Sequence, residues 1–339
     1  MKKALITGIT GQDGSYLAEF LLKKNYEVHG LRRYSSTENK LKNLQDIVNN
    51  KNLVKNFYLH YGDITDTDSI YRIIQETKPD EIYNLAAQSH VHASFQVPEY
   101  TAQVDAVSQL RVIEVVKKIN DKIKIYQAAT SELFGNSNKK FQNENTILDP
   151  LSPYSAAKLY GFYISKIYRD SYNMFITNGI LFNHESPRRG PGFVTRKITI
   201  GIKKILKGQT NCLYIGNLNA KRDWGYAKEY VETMWKMLQQ RKPDDFVIST
   251  GKTYSVREFI EEAFKIVNIK IKWDGSGLKE KGYDLKTKKI LVKIDPYYFR
   301  PNELYYLKGD SSKARRILGW KPKTNFKQLV RIMMLNELK

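Results

Sequence analysis

Cysteine is almost absent from this chain, which carries a single thiol, Cys212, among 339 residues. One cysteine cannot form an internal disulfide, and it excludes the zinc sites that are built from several cysteines. A chain that relies on no disulfide fits a reducing compartment. We therefore expect a cytoplasmic protein.

Long apolar runs are also missing. The run near the N-terminus, residues 4–6, is short and is interrupted by glycines and Asp13, unlike the core of a signal peptide. No other run is long enough to cross a bilayer, so we expect no membrane association. The hydrophobic share of 41% still suffices for a sizeable core, and the length predicts one large or two closely joined domains.

Acidic residues are scarce beside basic ones. The chain contains 35 Asp and Glu but 56 Lys and Arg, which gives a formal net charge of +21. A basic chain can attract nucleic acid, membranes or small polyanions. The lysines are scattered and no nucleic-acid-reading motif accompanies them. A general enrichment in lysine explains the charge better than nucleic-acid binding does, and a multiply charged small ligand stays compatible with it.

A glycine-rich turn follows the first apolar run. Residues 3–7 predict a buried parallel strand, and apolar residues at helical spacing follow Gly14. Gly8 permits a tight turn, Gly11 lets the backbone approach a pyrophosphate, and Gly14 lets helix pack on strand. The helix N-terminus then faces the phosphates. This context predicts a dinucleotide site, with an ordinary glycine turn as the alternative.

The second predicted strand, about residues 26–31, ends in Arg32 and Arg33. An NAD enzyme carries an acid there for the ribose 2′-hydroxyl, but no acid follows in this chain until Glu38. Guanidinium groups form paired hydrogen bonds with a 2′-phosphate, so the sequence favours NADP over NAD. A solvated arginine pair is the alternative. Asp63, after the third predicted strand, is placed to accept a hydrogen bond from an adenine amino group.

Repeated strand–helix units predict an α/β fold, a Rossmann-type doubly wound parallel sheet, followed by a smaller mixed α/β domain. Further strands are predicted at 57–61, 81–85, 124–128, 175–182, 246–250, 269–273 and 290–295, and helices at about 98–120, 154–172, 194–207 and 255–267. The Gly- and Lys-rich segment 275–289 predicts a mobile loop.

Tyr154 and Lys158 lie four residues apart in a predicted helix, which puts them on one face about 5–6 Å apart. A lysine ammonium at that distance lowers the pKa of a phenol from roughly 10, so that the phenol can act as a general base. The chain has 23 tyrosines, so the spacing also arises by chance. Thr130, Ser131 and Glu132 follow the neighbouring predicted strand, and we expect them beside this pair.

Together these residues resemble the extended short-chain dehydrogenase/reductase superfamily over nearly the whole chain. The glycine turn that begins at Thr7, the hydroxyl of Ser131 and the Tyr154–Lys158 spacing carry this resemblance. Within the superfamily the chain resembles the GDP-mannose 4,6-dehydratase family. The segments that carry the closer resemblance are 6–17, 130–133, 183–190, 221–225 and 298–301.

The resemblance implies a hydro-lyase reaction on a GDP-sugar. Tyr154, held as a phenolate by Lys158 and the positive nicotinamide, would take the O4 proton while hydride passes from C4 to NADP. Glu132 would remove the C5 proton and help O6 leave as water, after which the hydride returns to C6. Thr130 and Ser131 would hydrogen-bond the O4 region. Glu132 separates a dehydratase from a 4-epimerase or reductase of the same fold, because elimination needs a second acid/base.

The motifs and the resemblance together assign binding residues, with no metal ion expected. The candidate cofactor-binding residues are Gly8, Thr10, Gly11, Gln12, Asp13, Gly14, Arg32, Arg33, Asp63, Ile64, Leu85, Ala86, Ala87, Tyr154, Lys158, His184 and Arg189. The candidate substrate-binding residues are Ser89, Glu132, Asn183, Val194, Lys197, Arg222, Arg300 and Glu303. Residues 1–182 would form the NADP domain, which also receives roughly 213–252, and residues 183–339 would mainly bind the nucleotide sugar.

The resemblance further implies a homo-oligomer, either a dimer or a tetramer. Arg188, Arg189 and the loop 32–36 would lie at a tetramer interface, next to a neighbour's cofactor. Tyr226 stands where the family commonly has His, and this and other departures keep a GDP-linked manno-heptose as an alternative substrate. A non-catalytic NADP-binding sensor or an RNA-binding scaffold is the alternative of a different class, and it would not need Glu132 and Tyr154 together.

Overall fold

The structure, a computed structural model, describes residues 1–34, 38–300 and 302–339. The strands are β1 (Lys3–Thr7), β2 (Glu27–Arg32), β3 (Phe57–Tyr61), β4 (Glu81–Asn84), β5 (Lys124–Thr130), β6 (Ile176–Leu181), β7 (His184–Glu185), β8 (Leu213–Ile215), β9 (Lys221–Arg222), β10 (Gly225–Tyr226), β11 (Phe246–Ile248), β12 (Tyr254–Ser255), β13 (Ile271–Asp274), β14 (Lys281–Asp284) and β15 (Ile290–Ile294). The helices are α1 (Gln12–Leu22), α2 (Gln45–Val48), α3 (Thr67–Thr77), α4 (Val91–Gln96), α5 (Pro98–Ala102), α6 (Ser108–Ile119), α7 (Pro153–Tyr172), α8 (Val194–Leu206), α9 (Ala227–Leu238), α10 (Val256–Ile266), α11 (Ser312–Leu318) and α12 (Phe326–Leu338).

Seven parallel strands form the main sheet, in the order β11-β6-β5-β4-β1-β2-β3. The inner strands are short and mostly buried, which suits strands that are covered on both faces, whereas the edge strand β3 is partly exposed. Helices α1, α9 and α11 bury their apolar sides on one face, and α3 and α6 do so on the other. The predicted doubly wound sheet is confirmed. Its strand order reverses between β1 and β4, and ligands bind at such a reversal, beyond the carboxyl ends of the strands.

A smaller mixed sheet, β13-β14-β15-β8, packs with α8, α10 and α12 around a second apolar core. Its β8 comes from the segment 213–252 that we predicted to join the first domain, whereas β11 of the same segment does extend the main sheet. The division into two domains at residue 182 stays a prediction. The short pairs β7–β10 and β9–β12 connect the two layers.

Two local expectations from the sequence were wrong. The segment 275–289 is not a plain loop, because Lys281–Asp284 forms β14 between β13 and β15. The predicted helix 98–120 is interrupted by a π-helical turn, Gln103–Val107, between α5 and α6. None of the helices within the described ranges is both long and apolar enough to cross a membrane.

Candidate active site

One cavity of about 1370 Å³ lies at the carboxyl ends of the central strands, between the main sheet and the second layer. Every candidate residue named from the sequence lines it. The lining includes Gly8, Thr10, Gly11, Gln12, Asp13, Gly14, Arg32, Arg33, Asp63, Ile64, Leu85, Ala86, Ala87, Ser89, Thr130, Ser131, Glu132, Tyr154, Lys158, Asn183, His184, Arg189, Val194, Lys197, Arg222, Arg300 and Glu303. The roles of these residues stay predictions.

The glycine turn leaves room for a dinucleotide. Gly8 has φ +68°, and a Cβ there would lie 2.9 Å from the backbone nitrogen of Ala86. A Cβ on Gly14 would lie 2.4 Å from the carbonyl oxygen of Gly8, so α1 could not approach β1 as closely. The N-cap of α1 is Gly11, which has no side chain to satisfy the first amides. These amides and the small Ala86 and Ala87 fit a pyrophosphate and the cofactor beyond it.

The N-terminus of α1 is held to the end of β6 by an ion pair. His184 Nε2 lies 2.7 Å from Asp13 Oδ2, and Nδ1 of the same ring donates to the carbonyl oxygen of Phe182 at 2.8 Å. Burial disfavours both charged forms, but each partner outweighs it: the pKa of His184 is raised and that of Asp13 is lowered. Asp13 therefore presents a negative charge in the first turn of α1, which the helix dipole favours.

Arg32 and Arg33 stand at the end of β2, where the sequence predicted them to meet a 2′-phosphate. The Arg32 guanidinium lies over the ring of Tyr61, 4.5 Å from its centroid. Arg33 Nη1 donates to the hydroxyl of Tyr100 at 2.6 Å. Both groups therefore border the cavity, and the partners described for them are the tyrosines Tyr61 and Tyr100 and no acidic side chain. Ser35 and Ser36 of the predicted interface loop lie outside the described residues.

Asp63 is already partly engaged. One of its carboxylate oxygens accepts from the backbone amide of Thr65 at 2.9 Å and from its hydroxyl at 2.7 Å. These bonds fix the loop that follows β3 and leave the second oxygen for a ligand. Contact with an adenine amino group stays a prediction.

Helix α7 positions Tyr154 and Lys158. Ser152 caps this helix through a reciprocal pair of hydrogen bonds with Ser155, and Pro153 occupies its first position, so its start is well determined. Tyr154 then lies in the first turn with its side chain buried. Lys158 lies one turn later, and its ammonium donates to the carbonyl oxygen of Ala128 on β5 at 3.2 Å.

The electrostatics of Tyr154 differ from the expectation. Burial, followed by the negative charge of Asp105, raises the pKa of its hydroxyl instead of lowering it. The ammonium of Lys158 is not free to act on the phenol alone, since it also lies 3.7 Å from Asp105 Oδ1. The expectation that Lys158 lowers the pKa was therefore wrong for the protein by itself. Asp105 could not be identified from the sequence pattern, because it falls inside an apparently regular helix.

Glu132 lies on the short 3₁₀ helix that follows β5. Its backbone amide donates to Thr130 Oγ1 at 3.2 Å, which caps this turn. Its carboxylate accepts two bonds from Arg300 Nη1, at 3.1 and 3.3 Å. The residue is buried but faces the same cavity as Tyr154. The site therefore combines a phenol and a carboxylate, which are two groups capable of proton transfer.

Three cations line the same cavity, namely Arg222, Arg300 and Lys197. Arg222 Nη2 lies 3.6 Å from Glu303 Oε1, and burial together with the charge of Arg300 lowers the pKa of Arg222 to about 10. Burial lowers the pKa of Lys197 to about 8, and its ammonium lies over the ring of Tyr298. All three stay cationic at neutral pH, which suits a diphosphate.

Two polar atoms of this wall lack hydrogen-bond partners. They are Lys197 Nζ and Asn183 Oδ1, both buried and unpaired among the described residues. Buried polar groups in native proteins are nearly always paired. Two unpaired polar atoms at the cavity therefore indicate that this part of the site fits a polar ligand. Ser89, Val194 and Glu303 also border it.

Arg188 and Arg189 are both engaged within the chain. Arg188 pairs with Glu19 and with Asp46, the latter at 2.7 Å. Arg189 lies 3.2 Å from Glu185 and over the ring of Phe193. Their proposed place at a subunit interface stays a prediction.

Comparison with known proteins gives close relatives along the whole chain. The family described as GDP-mannose 4,6 dehydratase matches residues 5–333. A GDP-mannose 4,6 dehydratase of Drosophila melanogaster is 54% identical over 337 residues, which is 98% of this chain and 85% of that protein. A GDP-mannose 4,6-dehydratase of Vibrio cholerae is 51% identical over 351 residues, with 100% and 94% of the two chains covered.

Solved structures with the same fold are more distant in sequence. A dTDP-glucose 4,6-dehydratase of Bacillus anthracis in complex with NAD is similar with a TM-score of 0.80 at 19% identity, over 99% of this chain and 96% of that one. RMD of Pseudomonas aeruginosa complexed with NADPH is similar with a TM-score of 0.76 at 18% identity, over 99% of both chains. At these identities the likeness concerns the fold.

Proposed function

The chain belongs to the GDP-mannose 4,6-dehydratase family, and from this membership and the cavity we infer its reaction. It is a hydro-lyase that converts GDP-mannose to GDP-4-keto-6-deoxymannose by internal hydride transfer through a bound nicotinamide cofactor. The observation that carries the inference is the carboxylate of Glu132 in the cavity that also holds Tyr154 and Lys158. Loss of water needs an acid/base besides the group that assists oxidation.

We propose the following roles for the residues. Tyr154 takes the proton of the sugar O4, and Lys158 holds a positive charge beside it. A nicotinamide cofactor held by the glycine turn and by Arg32 and Arg33 would supply reversible hydride transfer between C4 and C6, so that the reaction would be redox-neutral. Glu132 removes the proton that the 4-ketone makes acidic at C5 and gives a proton to O6 as it leaves as water. The enolate left once C6 has received the hydride is protonated at C5, which balances the proton taken from O4. Thr130 and Ser131 orient the O4 end of the sugar.

We propose NADP as the form of the cofactor. Arg32 and Arg33 support it, because a guanidinium binds a 2′-phosphate and the described partners of these two arginines are tyrosines, not acids. The glycine turn and the N-terminus of α1 would hold the pyrophosphate. Arg222, Arg300 and Lys197 would hold the diphosphate of the substrate, with Asn183 completing its polar contacts.

The experiment that tests the function is incubation of the protein with GDP-mannose and NADP⁺. A product that has lost one water and carries a 4-ketone, with no net reduced cofactor, is the expected result. Formation of only a C4 epimer would show that the protein is an epimerase. A parallel reaction with GDP-manno-heptose compares the alternative sugar.

A homo-oligomer and a cytoplasmic location are further proposals that rest on the sequence.

A further inference from the structure

Asp105 lies behind the cavity, directly beside Lys158. Its Oδ1 is 3.7 Å from the lysine nitrogen, and the exposed fractions of the two side chains are 0% and 3%. The same oxygen accepts a hydrogen bond from the backbone amide of Gln88 at 3.1 Å. Oδ2 is buried and has no hydrogen-bond partner in the part of the chain that is described. A carboxylate thus stands in the interior, facing the ammonium of the active-site lysine.

The backbone brings this carboxylate there through an irregular turn. Asp105 is the middle residue of the π-helical turn Gln103–Val107. Such turns are rare, have weaker hydrogen-bond geometry than an α-helix and occur frequently at functional sites. The turn packs on α7, where a Cβ on Gly161 would lie 3.4 Å from the Asp105 carbonyl oxygen. The helix therefore departs from its regular form at the point where it meets Lys158.

We propose that Asp105 is a positioning residue for Tyr154 and Lys158, and that its charge sets the pH range in which Tyr154 works. The carboxylate holds the ammonium beside the Ala128 carbonyl and offsets part of its charge. A residue that only filled this space would be apolar, because a buried carboxylate with an unpaired oxygen is costly. The inference rests on the proposed role of Tyr154 as the base for O4.

The charges around Tyr154 give the sign of the effect. Burial raises the pKa of its hydroxyl, and Asp105 and Glu132 add to this, whereas Arg189 opposes it. Burial also raises the pKa of Asp105 to about 6, against the opposing charge of Lys158. Removal of the Asp105 charge leaves the ammonium unopposed. The pKa of the Tyr154 hydroxyl should then fall.

The first test is the pH dependence of kcat/KM in the variant Asp105→Asn. We expect its acid limb to move to lower pH by roughly half to one unit, with KM for GDP-mannose little changed. Asp105→Glu keeps the charge, so the acid limb of its kcat/KM profile should lie at the same pH as in the natural protein. Glu144→Gln is the matched control, because Glu144 is a carboxylate outside the cavity lining that accepts from the Val247 amide at 2.8 Å. An unmoved limb, or an equal loss at every pH, would overturn the proposal.

A second readout does not depend on turnover. The ring carbon signal of Tyr154 in tyrosine-labelled protein with NADP⁺ bound, assigned by its loss in Tyr154→Phe, should titrate at lower pH in Asp105→Asn than in the natural protein. If Asp105→Asn does not fold, Asp105→Ser removes the same charge and serves in its place. An unchanged titration in a folded variant overturns the proposal. Full turnover by Tyr154→Phe would instead reject the proposed function, while the titration still measures the coupling.

Discussion

The guanidinium of Arg300 donates to both carboxylate oxygens of Glu132, at 3.1 and 3.3 Å. Burial opposes the charge of Arg300, but the carboxylates of Glu132 and Glu303 outweigh it and raise the pKa of Arg300. The arginine therefore joins two parts of the proposed site. It aligns the Glu132 carboxylate, to which we assign removal of the C5 proton. It also belongs, with Arg222 and Lys197, to the three cations that we assign to the diphosphate.

Glu132→Gln should stop dehydration while leaving oxidation possible. An amide cannot remove the C5 proton, so we expect turnover to fall by about 100- to 10,000-fold. The hydride taken from C4 would then have no route back to C6. Mixing the variant with GDP-mannose and NADP⁺ should give reduced-cofactor absorbance of at most one equivalent per site. Unchanged turnover would show that Glu132 has no such role.

Glu303→Gln is the matched control for that variant. Glu303 borders the same cavity but lies beside Arg222, at 3.6 Å. Loss of its charge should alter the KM for GDP-mannose more than kcat. The two variants thus separate a carboxylate that transfers a proton from one that only tunes the binding cations.

Tyr154→Phe should block the reaction at an earlier step. Without the hydroxyl, O4 cannot lose its proton, so neither ketone nor reduced cofactor should form, and turnover should fall by about 100- to 10,000-fold. Stopped-flow absorbance after mixing with GDP-mannose distinguishes this result from that of Glu132→Gln. Tyr160→Phe on the same helix is the control, because Tyr160 is exposed and outside the cavity lining. Accumulation of reduced cofactor in Tyr154→Phe would contradict the assignment.

The sequence predicted the main sheet well because most of its strands are short segments rich in apolar residues that are followed by glycine or polar residues. The same rule brought Glu132, Tyr154 and the glycine turn together, since parallel strands end at one edge. It failed for β14, whose residues Lys281–Asp284 carry no apolar alternation and are held by their neighbours β13 and β15.

The electrostatics of the site could not be predicted from spacing. The four-residue interval between Tyr154 and Lys158 says that they share a helix face, but it does not say what else surrounds the ammonium. Asp105 reaches Lys158 from another helix, through a π-helical turn that leaves no pattern in the sequence. The direction of the Tyr154 pKa shift depends on that tertiary contact.

Arg33→Ala should weaken the binding of NADP much more than that of NAD. A paired hydrogen bond between guanidinium and phosphate is charge-assisted, so its loss should reduce NADP affinity by about 10- to 100-fold. Binding of both cofactors can be followed by calorimetry. Arg111→Ala is the control, because Arg111 is bound to Gln103 outside the cavity and should change neither affinity. An equal loss for NAD and NADP would mean that Arg33 does not recognise the 2′-phosphate.

The ion pair of Asp13 and His184 should make stability depend on pH in a defined window. The folded pKa of His184 is raised above the ordinary value of 6.5, so its contribution is complete below that pH and is lost as the pH rises through the folded value. The folded pKa of Asp13 is lowered from 3.8, so its contribution is present above that pH and is lost as the pH falls through the folded value. Both contributions are therefore present between pH 3.8 and 6.5.

His184→Gln should accordingly lower the free energy of unfolding by about 2 kcal/mol near the middle of this window, and by less in alkaline solution, where the natural protein has itself lost the charge. Urea unfolding at about pH 5.5 and about pH 9 measures both values. His60→Gln is the contrasting control: burial lowers the pKa of His60, so that histidine costs stability in acid, and its replacement should help at the lower pH. A cost of His184→Gln that is the same at both pH values would show that packing against Tyr230, 4.8 Å away between ring centroids, and not charge, is what His184 contributes.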